Sequence, residues 1–162
     1  MKQIYDRNYP VTSALLIATS LVFVLMILSY GFQYSNSEAL YHFGAVHGYT
    51  IQALPEQFWR VFAAIFIHIG LEHFVVNMLT LSFLCRQIEA IFGSLKFLIL
   101  YLMSGVLGNL FVVYFSPNSL AAGASTSLFG LFASIVVLRY ATRNYYLQQL
   151  GQSYMSLLAV NL

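Results

Sequence analysis

Charged residues are scarce in this sequence. Asp, Glu, Lys and Arg make up 7% of its 162 residues, while hydrophobic residues make up 60% and aromatic residues 17%. Soluble globular domains carry roughly 25% charged residues. A water-soluble globule of this length could not bury so much apolar surface, so lipid must cover it. The composition therefore excludes an ordinary soluble domain and indicates an integral membrane protein.

Cysteine and excess charge are lacking too. The single cysteine, Cys85, permits no intrachain disulfide, so cysteine usage does not reveal the redox compartment. The formal net charge is only +2 and the basic residues are dispersed. This distribution argues against a nucleic-acid partner and leaves membrane lipid as the expected surroundings.

Apolar runs predict five membrane-spanning helices, because a helix crosses the hydrocarbon core with about 20 apolar residues. These runs occupy 11–30, 65–84, 95–115, 125–138 and 145 to the terminus. The linkers after the second span are short and polar, which favours an antiparallel bundle. We expect a single all-α polytopic membrane domain over 1–162, with a polar head at 1–10 and a long external loop at 31–58.

The placement of Lys and Arg predicts the orientation, since these residues are enriched on the cytoplasmic side. With a cytoplasmic N-terminus, only Arg60 of the seven lies outside, and the others lie inside: Lys2, Arg7, Arg86, Lys96, Arg139 and Arg143. Segments 31–58 and 116–124 are then external. The compact chain lacks organellar targeting features, so we expect a bacterial cell membrane.

Helix length places Ser125 below the membrane surface. The 14 residue steps from Ser125 to Arg139 span roughly 21 Å of helix, whereas the hydrocarbon core is about 30 Å thick. Ser125 therefore lies about 10 Å below the outer surface, and segment 116–124 must descend to it without helical structure. Such backbone is tolerated only against protein or water, so we predict an internal polar cavity.

The Gly123-Ala124-Ser125 element has two interpretations. Its serine could be a nucleophile, or it could belong to a packing seam of small residues. Small residues recur every four positions along this helix, at Thr126, Gly130 and Ser134. Ser125 lies on a different face, which it shares with Phe129. The pattern predicts close helix packing for the recurring positions and leaves both interpretations of Ser125 open.

His73 and Asn77 are one helical turn apart, so they project from one face of the second span. Both lie in its outer half, at a depth similar to that of Ser125. Polar side chains there usually face the bundle interior or a water-filled cavity. They could form an interhelical hydrogen-bond pair, or they could donate hydrogen bonds to an oxyanion, together with the N-terminus of the fourth helix.

A metal site is a further candidate, because all four histidines lie in one stretch: His42, His47, His68 and His73. The sequence lacks a His-Glu-x-x-His motif, and His68 and His73 are five residues apart, which separates them on a helix. We therefore expect no metal, and no organic cofactor is indicated.

Several motifs together resemble the rhomboid family of intramembrane serine proteases. They extend from Trp59 to Leu138 in the order and spacing of that family: Trp59-Arg60, His68, His73-x-x-x-Asn77, Glu89, Gly93, Gly123-Ala-Ser125, Phe129 and Gly130. The combination is far more specific than any one of its parts.

The resemblance implies a six-span bundle around a water-filled cavity that opens outward. It implies that Ser125 is the nucleophile, that His73 and Asn77 line the oxyanion hole, and that Phe129 packs beneath the catalytic histidine. The Trp59-Arg60 pair would lie in an external loop, partly within the outer leaflet. The implied substrates are transmembrane proteins, which are cleaved in or near a helix.

The sequence departs from the family pattern in two places. Thr126 stands where the family often has glycine, and a hydroxyl-bearing residue is tolerable at a helix start. The family's general base is a histidine on the sixth span, but none of the 37 residues after Ser125 is a histidine. A serine hydroxyl is a poor nucleophile without a base. We expect a truncated sequence with five of six spans, inactive by itself.

Two other functions stay open. A catalytically inactive rhomboid-like protein would bind transmembrane helices without cutting them, and the missing base agrees with this alternative. A small transporter or channel is a third class. It is disfavoured because the polar residues cluster in the outer half and no inverted repeat is evident. The sequence indicates neither the substrate's identity nor the oligomeric state.

Overall fold

The computed structural model describes residues 6–160, with side chains as far as Met155. In chain order the helices are α1 (Pro10–Tyr30), α2 (Ser37–Phe43), α3 (Gly48–Ala53), α4 (Arg60–Ala63), α5 (Gly70–Thr80), α6 (Arg86–Phe92), α7 (Ser94–Phe115), α8 (Ser125–Ala141) and α9 (Tyr145–Val160). Two short strands, β1 (Val46–His47) and β2 (Leu120–Ala121), pair antiparallel. The predicted all-helical membrane bundle is confirmed.

Three helical stretches within the described residues are long and apolar enough to cross a membrane: Pro10–Gln33, Gly70–Phe92 and Ser94–Phe115. The predicted first and third spans agree with two of them. The predicted fourth span corresponds to α8, which is apolar but has only 17 residues. The last predicted span corresponds to α9, with 16 residues.

The predicted second span, 65–84, is wrong at both ends. Its start lies in a 3-10 turn, Ala64–Phe66, that is followed by extended backbone at Ile67. The membrane helix begins only at Gly70 and continues as far as Phe92. A π-helical turn at Leu81–Cys85 joins α5 to α6, which carries the helix past the apolar run.

Small residues bring α7 and α8 into close contact. A Cβ atom on Gly108 of α7 would lie 2.8 Å from Cβ of Thr126, and one on Gly130 would overlap the hydroxyl of Ser104. The predicted packing seam is therefore confirmed at Thr126 and Gly130. The hydroxyl of Ser134, the third position of the stripe, instead donates to a carbonyl of its own helix.

Glu89 links three helices at the end of the bundle where α1 and α7 begin. Its carboxylate accepts hydrogen bonds from the backbone N–H of Val11 at 3.0 Å and of Thr12 at 2.8 Å, and from the hydroxyl of Thr12 at 2.7 Å. The hydroxyl of Ser94, at the start of α7, donates at 2.6 Å. The carboxylate thus satisfies free N–H groups at the start of α1, where the helix dipole favours negative charge.

The long loop 31–58 is attached to the segment that leads into α8. Strand β1 lies within 31–58 and strand β2 within 116–124, and the backbone N–H of Tyr49 donates to the carbonyl of Pro117 at 3.2 Å. As predicted, 116–124 contains no helix. The strand pair therefore fixes the descent of the chain toward Ser125.

Arg60 is a buried residue that binds the backbone of the loop 31–58. Its side chain is only 4% exposed. The guanidinium donates to the amide oxygen of Gln57 at 2.8 Å and to the carbonyls of Tyr41 and Ala45, and it lies 3.9 Å from the centre of the Tyr41 ring. These contacts compensate for the burial of its charge.

Candidate active site

Ser125 is the first residue of α8, and Gly123 shapes the backbone before it. The φ angle of Gly123 is +138°, a conformation that side chains with a Cβ rarely adopt. A Cβ at this position would lie 2.6 Å from Cε1 and 3.0 Å from Nε2 of His73. Glycine is therefore required twice, for the turn and for the approach of the imidazole.

A cavity of ≈ 260 Å³ lies between α5 and the first two turns of α8. The structure brings three predicted site residues together in its wall: His73 and Asn77 from α5, and Ser125 from α8. The complete lining is His73, Val76, Asn77, Thr80, Ser125, Leu128, Phe129 and Phe132. The cavity is partly open and is lined mainly by apolar and aromatic side chains, so it is less enclosed and less polar than the internal polar cavity that the sequence predicts.

Hydrogen bonds orient both side chains from α5. The amide nitrogen of Asn77 donates to the carbonyl of His73 at 2.8 Å, which leaves its second hydrogen without a described acceptor. Nδ1 of His73 accepts from the backbone N–H of Ile69 at 3.4 Å. A neutral imidazole that accepts at Nδ1 carries its proton on Nε2. His73 therefore presents an N–H group beside Gly123, and Asn77 presents one on the same helix face.

The start of α8 supplies further donors. The first helical hydrogen bond to this turn joins the N–H of Leu128 to the carbonyl of Ala124 at 2.9 Å. The backbone N–H groups of Ser125 and its next two neighbours therefore have no helical acceptor. Together with His73 and Asn77, they could stabilise negative charge beside the Ser125 hydroxyl.

The hydroxyl of Ser125 has no hydrogen-bond partner among the described residues. His73 lies beside Gly123, and its Nε2 on that side carries a proton in the tautomer that accepts at Nδ1, so this nitrogen has no lone pair with which to accept the serine proton. The described part of the chain therefore places hydrogen-bond donors near the Ser125 hydroxyl and no proton acceptor.

His68 has a structural position that the sequence did not reveal. Its ring is completely buried, and Nε2 accepts from the backbone N–H of Ala124 at 3.5 Å. The neighbouring N–H of Gly123 donates to the carbonyl of Ala64 at 2.9 Å. The sequence shows a histidine within a predicted span. It does not show the non-helical backbone at Ile67 and Ile69 that directs the His68 ring toward Ala124.

Two other candidates differ in their outcome. Phe129 lines the cavity and its side chain is 64% exposed, but it stacks on no histidine among the described residues.

No cluster of three or more His, Cys, Asp or Glu side chains that could hold a metal occurs within residues 6–160. His68 and His73 have ring centres 5.2 Å apart, and further ligands do not join them.

Comparisons with known proteins identify the family to which the sequence is related. The family model described as "Rhomboid domain" matches residues 55–162. The chain is 30% identical over 160 residues to rhomboid protease GluP of Bacillus subtilis (strain 168), covering 98% of this chain and 31% of that protein. It is 28% identical over 131 residues to putative rhomboid protease YdcA of the same organism, covering 80% and 63%.

A relative described as inactive is also similar. Inactive rhomboid protein 1 of Danio rerio is 33% identical over 84 residues, covering 52% of this chain and 10% of that protein. The chain thus spans less than two thirds of the length of each of these relatives.

Proposed function

The chain belongs to the rhomboid family, and from this premise we propose that it carries the nucleophile and oxyanion hole of an intramembrane serine endopeptidase. It is an integral multi-pass membrane protein. The proposal rests on one observation above all, that His73, Asn77 and Ser125 line one cavity at the start of α8.

The proposed reaction is acyl transfer to Ser125. Its Oγ attacks the carbonyl carbon of a substrate peptide bond, and the carbonyl oxygen becomes an oxyanion. The Nε2–H of His73 and the free amide hydrogen of Asn77 donate to this oxyanion, with the backbone N–H groups of α8. The Oγ proton passes to a base and then to the leaving amine. Water hydrolyses the acyl enzyme and restores the serine.

The base is a histidine from outside these 162 residues. We infer from the family resemblance that it lies on a sixth span, against Phe129. The exposed ring of Phe129 supports this arrangement, since it leaves an aromatic face next to Ser125 for an imidazole. The Ser–His dyad then forms only when that span is supplied.

The proposed substrates are transmembrane proteins that enter the cavity from the lipid. Orientation follows from the basic residues, with the head 1–10 in the cytoplasm and the loop 31–58 outside, in a bacterial cell membrane. Residues 1–162 form a single rhomboid-like domain in this proposal. A site between α5 and α8 near their outer ends supports cleavage close to the external surface.

The second candidate is a catalytically inactive rhomboid-like protein that binds transmembrane helices. The absence of a described partner for the Ser125 hydroxyl favours it, as does similarity to a relative described as inactive. In that case a reporter helix would be bound but never cut.

The decisive experiment supplies a sixth span. The extended chain, defined as this sequence followed by an apolar Gly- and Ala-rich span with one histidine, is reconstituted with a reporter transmembrane helix. We expect cleavage, and we expect none after Ser125→Ala or when the added histidine is replaced by alanine. Cleavage by the Ser125→Ala protein would refute the nucleophile assignment. Crosslinking of the uncut reporter to α5 or α8 in every version would support the binding function instead.

A further inference from the structure

The imidazole ring of His68 is buried and makes few hydrogen bonds. It lies between the 3-10 turn Ala64–Phe66 and α5, where Ile67 and Ile69 have non-helical backbone. Among the described residues its only hydrogen bond of regular geometry is the long, 3.5 Å contact with the N–H of Ala124, and the backbone of Phe66 gives the ring one weaker polar contact. Neither regular backbone nor strong hydrogen bonding fixes this ring, so its orientation depends on packing.

Aromatic packing reaches His68 from α1. The rings of Phe23 and Phe74 are stacked, with centres 4.0 Å apart and planes 6° from parallel. Phe74 then meets His68 edge to face, at 5.7 Å and 86°. Phe23 is only 3% exposed and is held on its other side by Tyr34, at 5.4 Å and 81°. Phe74 is thus clamped between α1 and the imidazole.

The helix geometry of α5 explains why His73 and Phe74 contact different parts of the molecule. Successive residues project about 100° apart around a helix. His73 therefore faces Gly123 and the cavity, while Phe74 faces α1. The ring of His68 lies between these two side chains, 5.2 Å from His73 and 5.7 Å from Phe74.

We propose that Phe23 and Phe74 are positioning residues for the Ser125 site, because their stack holds the His68 ring in the orientation that accepts the N–H of Ala124. Ala124 is the residue directly before the proposed nucleophile, and its N–H belongs to the Gly123–Ala124 peptide bond. A rotated His68 ring would release that N–H and also disturb the neighbouring His73. This inference rests on the proposed function of Ser125, but its structural part can be measured without any cleavage.

One chemical consequence makes the proposal testable. A neutral imidazole that accepts at Nε2 carries its proton on Nδ1. His68 should therefore be held as the Nδ1–H tautomer, whereas His73 is expected as the Nε2–H tautomer. Without the Phe74 ring, His68 can rotate, and both of its tautomers become populated.

The experiment uses the 162-residue chain, with 15N-labelled histidine, in detergent micelles. The 15N spectrum of His68 distinguishes the two tautomers, and hydrogen exchange of the peptide around Ala124 reports its N–H. For Phe74→Leu we expect mixed His68 tautomers and exchange at Ala124 that is faster by about three- to tenfold, the range expected for one lost hydrogen bond. Phe74→Tyr, which retains the ring, should preserve both signals.

The matched control removes a different stacked ring. Phe111 and Phe115 of α7 stack with centres 4.3 Å apart, and both are well exposed on the outside of the bundle. Phe111→Leu should leave His68 and Ala124 unchanged. If Phe74→Leu does not fold, Phe23→Leu decides, because it leaves Phe74 in place and removes only its support. It should give the same changes to a smaller extent.

An unchanged His68 tautomer and unchanged Ala124 exchange in folded Phe74→Leu, or in folded Phe23→Leu when it must decide, would overturn the proposal. The same changes in Phe111→Leu would also overturn it, since they would indicate general loosening. Because these signals do not depend on cleavage, an inactive Ser125 would leave them intact, so failure of the proposed function is recognised separately.

Discussion

The imidazole of His73 lies so close to Gly123 that a single methyl group between them would displace one of the two. A Cβ on Gly123 would stand 2.6 Å from Cε1 of the ring. The same residue introduces the turn before Ser125. One glycine thus connects the proposed oxyanion donor on α5 with the proposed nucleophile on α8.

Gly123→Ala should therefore damage the site more than the fold. An L-residue in this backbone conformation costs of order 1–3 kcal/mol, and the methyl group also displaces His73. We expect cleavage by the extended chain to fall at least about 100-fold, as for the loss of an oxyanion donor. Gly31→Ala is the control, because Gly31 also has positive φ, +55°, but nothing within 4 Å of its Cβ position. Equal losses of activity in both would contradict this explanation.

Asn77→Ala tests the second donor. The amide is 5% exposed and bonds within its own helix, so its loss should leave α5 intact. Removal of one oxyanion donor typically lowers kcat by about 10²–10³. Steady-state cleavage of a reporter by the extended chain measures this value. Thr80→Ala is a matched control in the same cavity wall, and its hydroxyl likewise bonds to a carbonyl of its own helix. We expect less than about a threefold effect there.

Much of this arrangement could be predicted from the sequence. Hydropathy was sufficient for α1 and α7, because each is a single apolar run with a polar residue or glycine at its ends. It misplaced the second span because residues 64–67 are apolar whether helical or extended. The backbone change at Ile67 and the positive φ of Gly70 leave no trace in hydropathy.

The expected depth of each residue along its helix was enough to group the candidate site residues. Ser125, His73 and Asn77 were expected at one level, and they line one cavity. The contact of His68 with Ala124 could not be predicted, since it depends on non-helical backbone. The stack of Phe23 on Phe74 depends on the rotation of α1 against α5, which short-range sequence patterns do not encode.

Glu89→Gln should destabilise the bundle at the end where α1 and α7 begin. The carboxylate accepts from Val11, twice from Thr12 and from Ser94. Glutamine offers one acceptor oxygen and an NH₂ group that faces other donors. Hydrogen bonds to charged groups contribute about 1.5–3 kcal/mol each but are not additive, so we expect a loss of about 2–4 kcal/mol.

Reversible unfolding in mixed micelles measures that loss. Glu72→Gln is the control, because Glu72 is an exposed carboxylate at the start of α5, and it should change stability by less than about 0.5 kcal/mol. Comparable losses in both variants would show that overall charge, rather than the hydrogen bonds of Glu89, is responsible.

Arg60→Lys should loosen the loop 31–58 while the membrane helices stay folded. Lysine retains the charge, but its ammonium group cannot bond in the fork geometry with which a guanidinium reaches Gln57 and the carbonyls of Tyr41 and Ala45. The planar contact with the Tyr41 ring is lost as well. We expect faster hydrogen exchange over the loop, by about tenfold or more, since several buried bonds are weakened together. Hydrogen exchange followed by mass spectrometry measures this directly.

Arg143→Lys serves as the control, because Arg143 is exposed beyond the end of α8 and makes no described hydrogen bond. Should exchange within α7 rise as much as exchange in the loop, Arg60 would have to be regarded as a support of the whole bundle. An increase confined to the loop would instead show that Arg60 acts through the loop's own carbonyls, which is the arrangement that the buried guanidinium indicates.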